Sequence, residues 1–344
     1  MFFLLFLVSA LALQAGPRLP SVTGPRWVGV KSDNVYDEAS KSYAPVVKVG
    51  VFALGTNSMG GDAEWSDAQL SGACVVAGTD EAGRVVIVRQ DKTDFFVQRL
   101  EAATGWTAAV ALPWAGAALA DLRKQCCPTE RILLSVNGDQ SVLLRPDGSG
   151  FVFSLSSGAL LHSYKTGLGG AHQFNRTHFV ASLFAPAERA QEAAVDASNT
   201  RRHRPEQRAA RDCTQPIDNR HLPEPEAGKV VFLDWASGKV SETAARVAWP
   251  MRQLIAAEGR LFSHAPCGQY RLYEIAQDGA PIVSVMITGR VHYALFVVGG
   301  PRIAGLHYSG YVDSVSVADV DAKTHSSSSY SSLGDVKPVA LLWE

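Results

Sequence analysis

The sequence predicts an all-β chain folded as a single β-propeller of four-stranded blades. Three observations predict it. Residues 72–114, GACVVAGTDEAGRVVIVRQDKTDFFVQRLEAATGWTAAVALPW, read as four short strands. Their apolar residues cluster over five to seven positions, and each cluster ends at Asp/Gly, Asp-Lys-Thr or Thr-Gly punctuation. The same four-strand unit recurs on both sides, at intervals of ~40 to 55 residues once one insertion is set aside, which is a blade-like, WD-like period. Finally, a turn between third and fourth strands repeats in register: LEAATG at 100–105, FSLSSG at 153–158 and LDWASG at 233–238.

In chain order, Arg26–Lys31 and Pro45–Leu54 are two expected strands, separated by SDNVYDEASKSYA, which reads as a polar loop. Ala63–Leu70 reads as a poor outer strand. The unit at 72–112 has expected strands near Ala73–Ala77, Arg84–Arg89, Asp94–Leu100 and Thr107–Leu112. Ala115–Lys124 has apolar residues at helical spacing and no β-branched residue, which predicts a short helix. Arg131–Gly167 repeats the four strands, with hairpins at Asn137-Gly138-Asp139 and Pro146-Asp147-Gly148. His178–Phe184 is a strand whose partner is delayed by residues 185–228. That stretch is rich in Ala, Arg, Glu and Pro and reads as a mobile insertion inside a hairpin. Lys229–Asp234 resumes the sheet. Met251–Gly289 and Val291–Tyr330 are two more units, the last strand of the second falling in HSSSSYSS, and Pro338–Trp343 is a lone final strand.

Five units are nearly complete, and the N-terminal strands lack an innermost partner that the final strand can supply. The expected architecture is therefore six blades over residues 21–344, closed across the termini, which removes an exposed strand edge. Seven is the alternative count.

With 344 residues, 47% hydrophobic and 19% charged, the chain can bury a large core. A formal net charge of -1 argues against general nucleic-acid binding, which relies on Lys and Arg to displace counterions. Phe2–Leu13 is an apolar run of signal-peptide length, with small residues at Ala10, Ala12 and Ala15, so residues 1–15 read as a secretory signal; no later stretch reads as a transmembrane span. In a secreted chain, Asn175-Arg176-Thr177 is an N-glycosylation sequon. Cys126, Cys127, Cys213 and Cys267 are then candidates for disulfides, with Cys74, in an innermost strand, as the odd buried thiol.

The segments LEAATG, FSLSSGALLHSY and LDWASGKV resemble the repeat of quinoprotein-like (pyrroloquinoline-quinone-type) propellers, where an aliphatic-Asp-x-x-Thr-Gly-Lys turn leads into the outer strand. The resemblance covers three units and speaks to blade geometry. In that family a vicinal cysteine pair covers the quinone, and Cys126-Cys127 is similar to it. The calcium ligands and tryptophan floor of those enzymes find no matching positions here, and the alternative is two structural cysteines pairing separately.

In a four-stranded meander, inter-blade connections and the hairpins between second and third strands share one face. The irregular segments fall there: 32–44, Cys126-Cys127, the Gly-rich stretch around His172, the insertion and Cys267. Binding residues belong on such loops. His172, Arg290 and His292 are the ligand-binding candidates, the latter two opening an innermost strand. No metal-ligand spacing or Ser/His/Asp nucleophile motif is present. Arg201–Arg204 and Arg208–Arg211 read as the solvated basic part of the insertion. The expected function is a secreted, non-catalytic scaffold without cofactor that binds a protein or glycan through this loop-rich face. The alternative is an enzyme working in the central channel, either quinone-dependent with pyrroloquinoline quinone and calcium, or of a hydrolase or lyase type.

Overall fold

A computed structural model describes residues 26–53, 64–65, 69–101, 105–119, 132–168, 172–183 and 227–248, then 253–257, 260–265, 271–275, 283–287, 293–299, 302–308, 312–319, 321–322, 324–331 and 336–342. The signal-like N-terminus, nearly all of the insertion, Arg290, His292 and the four candidate disulfide cysteines lie outside these residues.

The chain is all-β. The first strands are β1 (Arg26–Asp37), β2 (Ser42–Ala53), β3 (Glu64–Trp65) and β4 (Leu70–Ser71). A second group follows: β5 (Ala73–Thr79), β6 (Val85–Asp91), β7 (Asp94–Glu101), β8 (Gly105–Trp106) and β9 (Val110–Ala111), then one helical turn, α1 (Ala115–Ala118). The third is β10 (Leu133–Asn137), β11 (Gln140–Leu144), β12 (Ser149–Ser154) and β13 (Leu160–Lys165). The fourth is β14 (His172–Gln173), β15 (His178–Leu183), β16 (Ala227–Asp234) and β17 (Val240–Ala248). The fifth is β18 (Gln253–Ala257), β19 (Arg260–Ala265), β20 (Arg271–Ile275) and β21 (Val283–Ile287). The sixth is β22 (Tyr293–Gly299), β23 (Arg302–Tyr308), β24 (Val312–Asp319) and β25 (Thr324–Ser331), and β26 (Lys337–Leu342) ends the chain.

Each group from the second onward is one antiparallel meander in sequence order, and β26 lies antiparallel beside β1 at the head of the sheet β26-β1-β2-β3. The first strands of the groups are neighbours: β5 beside β10, β10 beside β14, β14 beside β18, β18 beside β22, and β22 beside β26, which also touches β5. Successive meanders packed through their inner strands are the arrangement of a β-propeller.

The core sits between sheets. Val28, Val30, Val47 and Val49 of the first pack on Val85, Ile87 and Leu100 of the second. Val86, Val88 and Val97 meet Leu134, Val136 and Phe153 of the third. Val142, Leu144 and Val152 meet Phe179, Val231, Leu233 and Trp235 of the fourth. Interior strands buried on both faces explain the near-continuous Val/Ile/Leu runs.

A charged clasp recurs where the second strand of a sheet begins and the third ends. Arg84 holds Asp80 (2.8 Å) and Glu101 (3.2 Å); Arg302 holds Asp319 (3.1 Å); His178 stands 3.9 Å from Asp234. Arg260 donates two bonds to Glu274 and one to Asp321, which lies beyond β24 of the following sheet. The Arg260 guanidinium holds the Glu274 carboxyl below the usual glutamate range, against an opposing push from burial. A depressed folded-state pKa contributes stability above the ordinary carboxylate value, lost as pH falls through the folded one. Glu274→Gln is therefore expected to melt below wild type at pH 7, with the gap closing below about pH 4. A gap constant from pH 7 to pH 3 in thermal melts would remove the clasp as its cause.

One expectation is met over its described part and one needs correction. Residues 115–124 are expected to form a short helix, and its first turn is α1, with no side-chain cap at Trp114 and a bond from Leu119 N–H to Ala115 O (2.9 Å); residues 120–124 lie outside the described residues. Residues 32–44 are not one polar loop: β1 runs to Asp37 and β2 starts at Ser42, leaving a turn at 38–41. No described helix is long and apolar enough to cross a membrane.

Candidate functional site

Inner strands start on the face where one sheet connects to the next, and the hairpins between second and third strands turn on that face too. This upper face carries the turns 92–93 and 145–148, α1, and the β1–β2 hairpin. The opposite, lower face carries the hairpins between first and second strands.

The lower face is tied shut by hydrogen bonds. Gly138 N–H donates to Glu81 Oε2 (3.1 Å), linking the second and third sheets. From the fourth, Arg176 Nη1 donates to Thr79 O (2.6 Å), while the Trp235 indole N–H donates to Arg176 O. Asn175 is exposed on this face. Its Oδ1 accepts from the backbone N–H of Thr177 and His178 (2.8 Å each) and from Thr177 Oγ1 (3.0 Å), a compact Asx turn.

His172 lies in β14, opposite Val180 of β15. Two residues separate it from Asn175, yet it sits within an inner strand, whereas Asn175 sits in the lower hairpin. Cys74 is 7% exposed in β5, and its backbone N–H donates to Ser32 Oγ (2.8 Å), joining the second sheet to the base of the β1–β2 hairpin. Among the described residues no three His, Cys, Asp or Glu side chains gather as a metal site.

What the sequence reading missed is the β1–β2 hairpin itself. The two strands pair without interruption from Arg26↔Ala53 to Asp37↔Ser42. Val30, Val47 and Val49 are fully buried, whereas Asn34–Asp37 and Ser42–Pro45 are exposed. Above Asp33 the hairpin thus projects as a ribbon, its first arm reaching roughly 10–14 Å at ~3.4 Å per residue. Alternation puts Val28, Val30, Ser32, Asn34 and Tyr36, opposite Val51, Val49, Val47, Pro45 and Tyr43, on one face. Low on the ribbon this face packs on the second sheet. At the tip it presents Tyr36 (44% exposed) and Tyr43 (72%), whose rings meet edge to face at 5.3 Å.

All of the ribbon's charges but that of Asp37 pair with an opposite charge. Asp33 is held by Lys48 (3.2 Å) and Lys31 (3.3 Å), and Lys31 also covers the Trp65 ring at 4.4 Å. The Lys48 ammonium donating to Asp33 holds that carboxyl below its usual range, aided by Lys31 and opposed by desolvation. Asp37 accepts from Ser40 Oγ (2.7 Å) and Ala39 N–H (3.1 Å), and Glu38 pairs with Lys41 (2.9 Å).

Compared with protein-family profiles and with curated protein sequences, the chain gives no match. Among solved structures it is similar to TolB from Acinetobacter baumannii, at 10% identity and TM-score 0.46, covering 92% of this chain and 66% of that one. It is also similar to the β-propeller domain of the trilobed protease from Pyrococcus furiosus, at 9% identity and TM-score 0.44, covering 95% and 83%. A third is the acylaminoacyl peptidase of Pyrococcus horikoshii, at 9% identity and TM-score 0.43, covering 89% of this chain but 44% of that one. The propeller assignment stands on the strand pairings and on the packing between sheets.

The ribbon is legible in hindsight only from Val35, Tyr36 and Tyr43, three strand-favouring residues in an otherwise polar stretch.

Proposed function

We propose that this chain is a secreted, non-catalytic scaffold: six four-stranded blades closed into a ring by Lys337–Leu342, binding a protein or glycan through the upper face. The closure is supported by the pairing of β26 with β1 and by its contacts with β22 and β5. Residues 1–15 direct secretion in this reading, residues 185–228 are an insertion within a blade, and Asn175 carries the glycan on the opposite face. Cys126, Cys127, Cys213 and Cys267 then sit in an oxidising compartment.

One observation carries the assignment of the binding face. The upper face extends a ribbon with two exposed tyrosines, while the lower face spends Arg176, Glu81 and Trp235 on bonds between its own hairpins. Exposed aromatic surface on a rigid support marks interaction sites.

The test is to immobilise the intact protein in two orientations, through a single biotin at Ser156→Cys on the lower side or at Lys41→Cys on the ribbon tip. Each surface is then exposed to the secreted fraction of the native source. Retention of a saturable ligand by the first orientation and its loss in the second is expected. Equal retention by both would overturn the assignment. In parallel, titration with pyrroloquinoline quinone and calcium is expected to leave the absorbance a simple sum of components. A new quinone band would replace the scaffold reading with the quinone-dependent one.

A further inference from the structure

Beyond Asp33 the ribbon is a finger rather than a flat patch. All twelve residues from Asn34 to Pro45 are exposed, and they alternate between two faces. One face carries the Tyr36–Tyr43 pair; the other carries Val35, which is 39% exposed and lies opposite Ala44. Single exposed apolar residues are commonplace, but these three fall in two adjacent cross-strand pairs at a projecting end, which marks an interaction site. The neighbouring residues suit contact with protein. Tyrosine offers a large area for the loss of two torsions, while Asn34, Ser40 and Ser42 supply adaptable hydrogen bonds.

The finger carries three charged groups, Asp37, Glu38 and Lys41. Glu38 and Lys41 pair (2.9 Å), which leaves Asp37 as its net charge. The Ser40 hydroxyl and then the Ala39 N–H hold the Asp37 carboxyl below the usual aspartate range, so it stays ionised at neutral pH.

These features choose among occupants. A bilayer would have to desolvate all three charged groups of the finger before it reached the tyrosines. A second copy meeting the finger tip to tip would set two Asp37 carboxylates together. A sugar stacks on the open face of a ring, but these rings meet at 66°, and Val35 on the far side would stay in water. A protein cleft that grips both faces covers Val35 and the tyrosines at once. Its area also suffices. A standard interface takes roughly 30–40 Å² from each residue on one side, so twelve residues held from both faces bury on the order of 800 Å², the usual contribution of one partner.

We propose that residues 34–45 form a finger that inserts into a concave cleft of a partner protein, with apolar walls for Val35 and for the tyrosine pair and a cation placed for Asp37. The inference rests on the upper-face reading above and names the partner class and the contact.

The experiment places the photo-crosslinker p-benzoylphenylalanine in the intact protein at Val35, at Tyr43 or, on the lower side, at Ser156. Each protein is irradiated in the secreted fraction of the native source. Positions 35 and 43 are expected to label the same protein, and position 156 to label none. Peptide mapping should place the two cross-links on facing walls of one cleft in that partner. With the purified partner, Tyr43→Ser is expected to raise Kd at least tenfold and Val35→Ser at least fivefold, and both variants should melt with wild type because these side chains are exposed. Asp37→Lys should weaken binding more than Asp37→Asn, with the gap narrowing between about 50 and 500 mM salt as the charge is screened. Labelling from position 43 alone, equal labelling from 156, or cross-links to a second copy of this chain or to a protein-free glycan would overturn the proposal. So would no labelling at all, or a Kd indifferent to the Val35 and Tyr43 variants. If labelling fails while the orientation experiment still shows upper-face retention, the finger falls and the scaffold reading stands.

Discussion

Deleting Val336–Glu344 is expected to lower the melting temperature by more than about 10 °C, or to leave no folded protein. The segment supplies β26, whose register with β1 runs from Arg26↔Leu342 to Val30↔Lys337, so its loss strips the ladder from the buried start of that strand. Val336 is 1% exposed and packs over Gly29, so closely that a Cβ there would stand 2.4 Å from Val336 Cγ1. Val339 packs with Val28 and Val30 in the core between first and second sheets. Burying Val336 and part of Val339 contributes about 2–5 kcal/mol, a large part of a typical total of about 5–15 kcal/mol. The contacts of β26 with β22 and β5 go as well. A truncated protein that melts with wild type would show that β26 contributes nothing to closure.

Gly158→Val should be among the most costly single substitutions in the described residues, with an expected loss of about 3–4 kcal/mol and a fall in melting temperature of roughly 6–12 °C. Gly158 ends the SLSSG turn at a φ of +72°, where an L side chain strains the backbone by about 1–2 kcal/mol. Space is the second cost: a Cβ would lie 2.0 Å from the backbone oxygen of Ala111, on the outer strand of the preceding sheet. Gly158 O also accepts the Trp114 indole N–H (2.9 Å), so displacement of the turn would disturb the anchor of the connection to that sheet. Gly83→Val is the control. Its φ is +75°, yet nothing lies within 4 Å of its Cβ position, so only the backbone strain applies. Equal losses at the two positions would show that the close approach between sheets is not what requires glycine at 158.

Part of this architecture is local chemistry and is therefore readable from the chain. Four-stranded units emerge from alternating or continuous apolar runs because interior strands meet buried neighbours on both faces. The Asn137-Gly138 and Ser/Thr-Gly turns stand out because their backbones need positive φ, as observed at Gly138, Gly158 and Gly238. The shared turn at 100–105, 153–158 and 233–238 is thus a steric signature. At Gly238, as at Gly158, a Cβ would strike the outer strand of the preceding sheet, here 2.5 Å from Tyr164 Cγ.

Other features depend on partners far apart in the chain. Arg260 and Asp321 are 61 residues apart and Arg176 and Thr79 are 97 apart, and ion pairs or single hydrogen bonds leave no period in the sequence. The clasps and the closure of the lower face were accordingly invisible before folding. The helix at 115–118 was legible because alanine has the highest helix propensity and the stretch lacks β-branched residues. The ribbon is the clearest case. Asp, Asn and Ser disfavour strands, so 32–44 reads as a loop. Twelve cross-strand pairs, the Lys48–Asp33 ion pair and the Tyr36–Tyr43 contact extend β1 and β2 through it all the same. Composition alone determined that this stretch would be polar and exposed. Only pairing with its opposite strand, anchored by buried valines below, decided that it stands as a two-stranded ribbon with a tyrosine face.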